Sequence, residues 1–350
     1  MDNIEKYKKY IHRKSLFILV LAIATILTAL YAISAGSSGL SIKQVILALV
    51  GRGTEQAKIV VWNIRMPRVL TAVAGGIGLA SVGCAMQSIL KNPLASASTL
   101  GISQGAAFGA SFAIVVLGAG LQSTSGGDSV TFTNVYLITI CAFICSMAST
   151  FIVLGLSKFI SISPESMILT GVALSSLFGG ATTLMQYFAN DIRLAAVVFW
   201  TFGDLGRTSW REVLIIITVS LTSFIYFMFN RWNFNALQNG EETAKGIGVN
   251  VEKMRLTGMF VCSLTASVIV SFVGIINFIG LIAPHLVRRF IGGDYRFLLP
   301  ASALTGALLL LLSDCFARLA VAPIIMPIGA ITSFLGAPLF LYLLFRGSNK

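Results

Sequence analysis

The sequence predicts an all-α polytopic membrane protein, one transmembrane domain over residues 1–350 with about ten membrane helices. Three observations carry this. The composition is 56% hydrophobic and only 11% charged, far too little charge for a soluble chain of this size. Apolar runs recur along the whole length. One of them, residues 68–90, is long enough to cross the ~30 Å hydrocarbon core at ~1.5 Å per residue, yet is unsuited to lipid. Its face of Ala72, Gly76, Ala80, Gly83 and Gln87 carries only small or amide side chains at helical spacing. Small faces admit other helices to the backbone, and an amide at membrane depth needs a partner or water. This helix is therefore predicted to be central, with neighbours all round.

The remaining elements follow in chain order. Lys6, Lys8, Lys9, Arg13 and Lys14 precede the apolar run 16–35 and mark residues 1–15 as a cytoplasmic tail. Ala32, Ile33 and Ser34 loosely imitate a cleavage site, but the run is longer than a signal-peptide core and more spans follow, so it reads as a retained first helix. Residues 36–63 are mixed and expected outside, with Ile42–Val50 as a short interfacial helix. Further helices are expected near 65–90, 94–118, 135–157, 166–189, 211–229, 256–273, 276–291, 298–316 and 328–345. An even number of passes puts both termini in the cytoplasm. Nine of the 25 basic residues then fall outside: Lys43, Arg52, Lys58, Arg65, Arg68, Arg193, Arg207, Arg211 and Arg318. The other sixteen, from Lys6 to Lys350, fall inside, so the positive-inside rule holds. It also accounts for the net charge of +12 without a nucleic-acid partner.

Polar residues narrow the function. Cys84, Cys141, Cys145, Cys262 and Cys315 lie in apolar runs and read as small buried hydrophobes, and His12 and His285 are too few for a metal site, so no metal or cofactor is expected. No phosphate-binding Gly-Lys-Ser/Thr loop is present, so the chain is expected to be a transport subunit without its own ATPase site, not an enzyme. Residues 231–255 form the longest stretch of the second half without a span and are expected in the cytoplasm, with a short helix over 236–245 and a turn at 246–249. A translocation path would be lined by polar faces: Ser175, Thr182 and Gln186 on the fifth helix, Thr332, Ser333 and Gly336 on the tenth, with Gln87. Singly, such hydroxyls more often bond their own backbone. Arg68 and Arg255 each open an apolar run, from opposite faces, a weak sign of an inverted repeat.

The segments RMPRVLTAV, GCAMQSILKNPLA and LGISQGAAFGA closely resemble the permease subunits of the iron-siderophore, haem and vitamin B12 import family of ABC transporters. FIGLIAPHLVRRFIGGDYRFLLPASALTGALLLLLSDCFARLA and MPIGAITSFLGAPLFLYLL are similar to that family's closing segments in order and spacing. The resemblance implies a type II importer permease fold in a bacterial cytoplasmic membrane. Its partners would be a separate ABC ATPase subunit, an extracytoplasmic substrate-binding protein and a second permease copy, homo- or heterodimeric. It also implies roles for residues. Arg65 and Arg318, with Arg68 beside them, would meet carboxylates of the binding protein, against the plainer reading that they snorkel to the interface. Gly240, Glu241, Ala244, Gly248 and Val249 would contact the ATPase. The inner gate would lie at residues 161–166, with Ser163, Pro164 and Glu165 as its candidates, and Pro164 and Glu165 stand where the B12 importer has small hydroxyl residues.

Two other classes compete. An ion-coupled secondary transporter is expected to hold functional carboxylates inside its spans, and of thirteen acidic residues only Asp314 is clearly placed in one, close to its end. A membrane enzyme would need a cluster of catalytic side chains, and none is legible.

Overall fold

The computed structural model describes residues 2–36, 40–119, 134–160 and 163–347; Ser161 of the expected gate and Lys350 of the inner cations lie outside them. The described residues are helical, with no strand among them. In chain order the helices are α1 (Asp2–Ser34), α2 (Ile42–Leu49), α3 (Glu55–Ile59), α4 (Met66–Ile89), α5 (Ile102–Val115), α6 (Val135–Ile160), α7 (Pro164–Phe188), α8 (Asp191–Thr201), α9 (Trp210–Phe229), α10 (Arg231–Gln238), α11 (Glu241–Gly246), α12 (Val251–Val273), α13 (Ile279–Ile291), α14 (Tyr295–Leu319) and α15 (Ile328–Gly347). Seven helical stretches are long and apolar enough to cross a membrane, and α5 and residues 328–342 of α15 are shorter apolar helices.

All ten expected runs appear as helices, with three differences. The run 94–118 holds only α5, because Asn92-Pro93 and the turn at Gly101 (φ 76°) stop a helix from forming before Ile102, leaving one 3-10 turn over Ala97–Leu100. The short helix expected over 236–245 is two helices, α10 and α11, split at Gly240, whose φ of 118° no right-handed helix contains. Upstream, α3 and a π-helical turn over Val60–Arg65 continue α4, so the helix runs unbroken from Glu55 to Ile89.

α4 is the axis of the bundle. Its most apolar window is 83% buried, against 17% for α1, which displays Leu16, Leu19, Ile23, Ile26, Leu27 and Leu30 on its outside as a lipid-facing helix would. Around α4 pack α9, α12, α13 and α14. The small face explains the closeness: a Cβ built on Gly83 would lie 1.7 Å from the carbonyl oxygen of Gly280 in α13, and one on Gly76 would lie 2.5 Å from that of Gly306 in α14. Backbones touching at these two points exclude any larger side chain. α5 and α6 pack on each other and, with α7 against α5, form a second layer.

Candidate functional site

Charged side chains gather at both ends of α4. At the Arg65 end, Arg65 lies in the π-helical turn, which turns it towards α1. Its guanidinium donates to the carbonyls of Ile33 (2.7 Å) and Ser34 (2.8 Å). Arg318, in the last turn of α14, donates to those of Ala35 (2.8 Å) and Ala32 (3.1 Å). A helix ends with four carbonyls that have no helical partner, and these two arginines satisfy four consecutive carbonyls at the end of α1. Between the arginines sits Asp314, fully buried, accepting from Arg68 Nε at 2.7 Å and from Arg318 Nε at 2.9 Å. Arg68 also pairs with Asp204 at 3.4 Å.

Arg65, Arg68 and Arg318 are therefore buried, at 4, 6 and 9% exposure, where an exposed docking surface was expected. The physical reason is the four open carbonyls and the buried Asp314 carboxylate, both better partners than water for cations at a helix bundle's rim. The same reasoning explains other cations that were expected outside. Arg193 donates to the Val115 carbonyl at the end of α5 (2.9 Å), and Arg207 to the Phe199 carbonyl in the last turn of α8 (2.5 Å). The nine basic residues expected outside are the sequence signal that bears on these caps.

At the Lys91 end, the chain leaves α4 through Leu90 and enters Lys91, whose φ of 47° lies in the left-handed region. Lys91 Nζ lies 3.3 Å from Glu241 Oε1, and Arg255, in the first turns of α12, pairs with the same oxygen. Burial alone would raise the Glu241 carboxyl, but Arg255 and then Lys91 outweigh it and hold it below the ordinary range. Of the five residues expected to face a partner, Ala244 is fully buried, Val249 is partly buried against the same core, and the Glu241 side chain is 27% exposed. Gly240 (φ 118°) and Gly248 (φ 86°) make the two bends of the segment. What faces solvent is Glu242, Thr243, Lys245, Gly246, Ile247 and Gly248, and beside them a groove of about 390 Å³ opens over Asn230, Asn233, Asn250 and Lys253. Neither this clamp nor its register was legible: Lys91, Glu241 and Arg255 are 150 and 14 residues apart in pairs no local pattern links.

The residues expected along a path are not brought together within one chain. Ser175 donates to Gly171 O, Thr182 to Phe178 O, and Thr332 and Ser333 both to Gly329 O, so these hydroxyls satisfy their own helices. Thr182 and Thr332 are buried, and Gln186 is half-buried. Gly336 packs against Phe278. Gln87 is buried at the α4–α13 contact and donates to Leu281 O at 3.2 Å. α7 packs on α5 and α6, and α15 on α13 and α14. At the expected gate, Ser163 caps α7 by accepting from Ser166 N at 3.1 Å, Pro164 is buried at the first helical position, and Glu165 is exposed. Among the described residues no three metal-ligating side chains cluster.

A buried central helix, clamped by charge at both ends inside a bundle of apolar spans, defines a multi-pass membrane protein of the transporter permease class. Residues 23–346 match the model of the FecCD transport family. An ABC transporter permease protein of Methanocaldococcus jannaschii is 53% identical over 99% of both chains, and the hemin transport system permease of Yersinia pestis is 37% identical over 93% of this chain and 94% of its own. Among solved structures, a metal-chelate type ABC transporter in an inward-facing conformation superposes with a TM-score of 0.81 at 28% identity, covering 94% of this chain and 98% of that one. The chain belongs to the FecCD transport family and is an ABC transporter permease.

Proposed function

We propose that this permease carries a metal chelate, a ferric siderophore, haem or cobalamin, inward across the cell membrane. A separate ATPase subunit powers it, and an extracytoplasmic binding protein delivers the cargo. The observation that carries the reading is the short polar helix α11, exposed along one face and tied by Glu241 to both α4 and α12. By the charge balance, the Lys91 end faces the cytoplasm and both termini lie there. The exposed residues Glu242, Thr243 and 245–248 then seat in the ATPase, with Gly240 and Gly248 setting their angle. The binding protein docks at the Arg65 end, where Arg65 and Arg318 act indirectly by holding the end of α1 in place. Because no single chain unites α7 and α15, the path forms between two copies, with Ser175 and Gln186 facing it from α7 and Ser333 from α15, and with Ser163 and Glu165 at its inner gate.

Ion coupling is the weaker reading, because Asp314, the carboxylate buried deepest in a span, is held between Arg68 and Arg318 and is not available to bind and release a cation. The test is reconstitution with the cognate ATPase and binding protein in proteoliposomes, offered a ferric siderophore, haem and cobalamin in turn. ATP-dependent uptake of one of them is expected. Uptake driven by an ion gradient without ATP would overturn the proposal.

A further inference from the structure

Three side chains from distant parts of the sequence meet at one carboxylate oxygen. Glu241 opens α11 directly after the bend at Gly240, Lys91 follows the central helix, and Arg255 is buried in the first turns of α12. Lys91 is the informative member. Its φ of 47° lies where glycine sits without strain and L side chains sit rarely, and only one other non-glycine residue, Phe278, has a positive φ among the described residues. The backbone there favours glycine, so the lysine is explained by its ammonium, which reaches Glu241 at 3.3 Å. The other contacts of α11 are local or apolar: Lys245 pairs with Glu242 inside the helix, Thr243 donates to the Asn239 carbonyl just before it, Ala244 sits in the core, and the Val249 amide donates to the Ala244 carbonyl. Glu241 is thus the one side chain of α11 that the ion pairs join to two long helices at once.

We infer that Lys91, Glu241 and Arg255 form the link through which a displacement of α11 is passed to α4 and α12, with Glu241 as its positioning residue. This rests on the permease reading above. A load on α11 is borne by the carboxylate, and the two cations divide it between the axis of the bundle and its neighbour. Uncharged contacts at Ala244 allow α11 to slide; the ion pairs do not.

The test is Lys91→Gly in the full transporter, reconstituted with its ATPase and binding protein and offered the ferric siderophore, haem and cobalamin. Glycine suits the backbone at this position, so the melting temperature should not fall. The amount of chelate imported per ATP hydrolysed should fall about five-fold or more. Lys91→Arg, which keeps a cation within reach, should recover most of the yield. Wild-type yield per ATP in Lys91→Gly would overturn the link. So would a loss of yield that tracks a lowered melting temperature, because that is what a purely structural staple gives. A wild-type complex that imports none of the three chelates would instead fell the chelate-import reading on which the link rests.

Discussion

The two ends of α4 use charge in opposite ways. At the Arg65 end, Arg68 and Arg318 hold one buried carboxylate, Arg65 and Arg318 hold four open helix carbonyls, and all three guanidiniums are buried. At the Lys91 end, one partly exposed carboxylate holds two cations, and it belongs to a helix of six residues between two bends. The first arrangement cannot shift without uncovering buried charge, which costs several kcal/mol. The second can move as a unit, because Glu241 is 27% exposed and the bends sit at glycines. On the reading proposed above, a helix held fast at one end and gripped by a movable element at the other works as a lever driven from the Lys91 end.

Asp314→Ala should separate the ends most strongly. It leaves Arg68 and Arg318 buried without their shared carboxylate, and a loss of about 3–5 kcal/mol is expected, read as a lowered melting temperature of the purified permease. A loss below ~1 kcal/mol would show that this cluster is solvated and not a fixed anchor. The double change Arg65→Glu and Arg318→Glu should come next. It places carboxylates against the carbonyls of Ala32, Ile33, Ser34 and Ala35, so the end of α1 should fray and uptake should be lost. Basic substitutions on the binding protein should not restore it. Restoration would show that the guanidiniums reach the partner after all. Arg193→Ala should be the mildest, removing one helix-end cap at Val115 for about 0.3–1 kcal/mol.

Apolar runs, their order and the small face of α4 were legible because lipid and close helix contact impose them on composition alone. Ala72, Gly76 and Gly83 announced a buried axis, and Gly76 and Gly83 meet Gly306 and Gly280 there. The element α8 was not legible: its eleven residues are too short to span, and Asn190 caps it only once the chain has turned. Site residues were harder. A guanidinium near a helix end reads the same in sequence whether it points to solvent or back to a neighbour's carbonyls, and only packing decides, as at Arg65 and Arg318. Glu241 and Ala244 sat in a polar stretch that looked exposed throughout, whereas a six-residue helix must turn one side to its support. The nine cations expected at the Arg65 end were countable in the sequence, and the partners of those that cap helix ends are tertiary.

The claim that the Lys91 end is the driven end is tested most directly at Gly246 and Gly248. A Cβ at either meets nothing within 4 Å of its own chain, and Gly246 also has an ordinary backbone angle, so a side chain can leave the backbone at Gly246 without strain or a clash at its first atom. Gly248→Trp adds the strain of a φ of 86°. The measurement is binding of the purified ATPase subunit to membranes carrying each variant. Both should insert and fold as the parent does and should bind the ATPase at least about ten-fold more weakly, the penalty of a clash worth ~1.4 kcal/mol in a fitted interface. Parental affinity in Gly246→Trp and Gly248→Trp alike would contradict the account and leave residues 240–249 as a connection between α10 and α12.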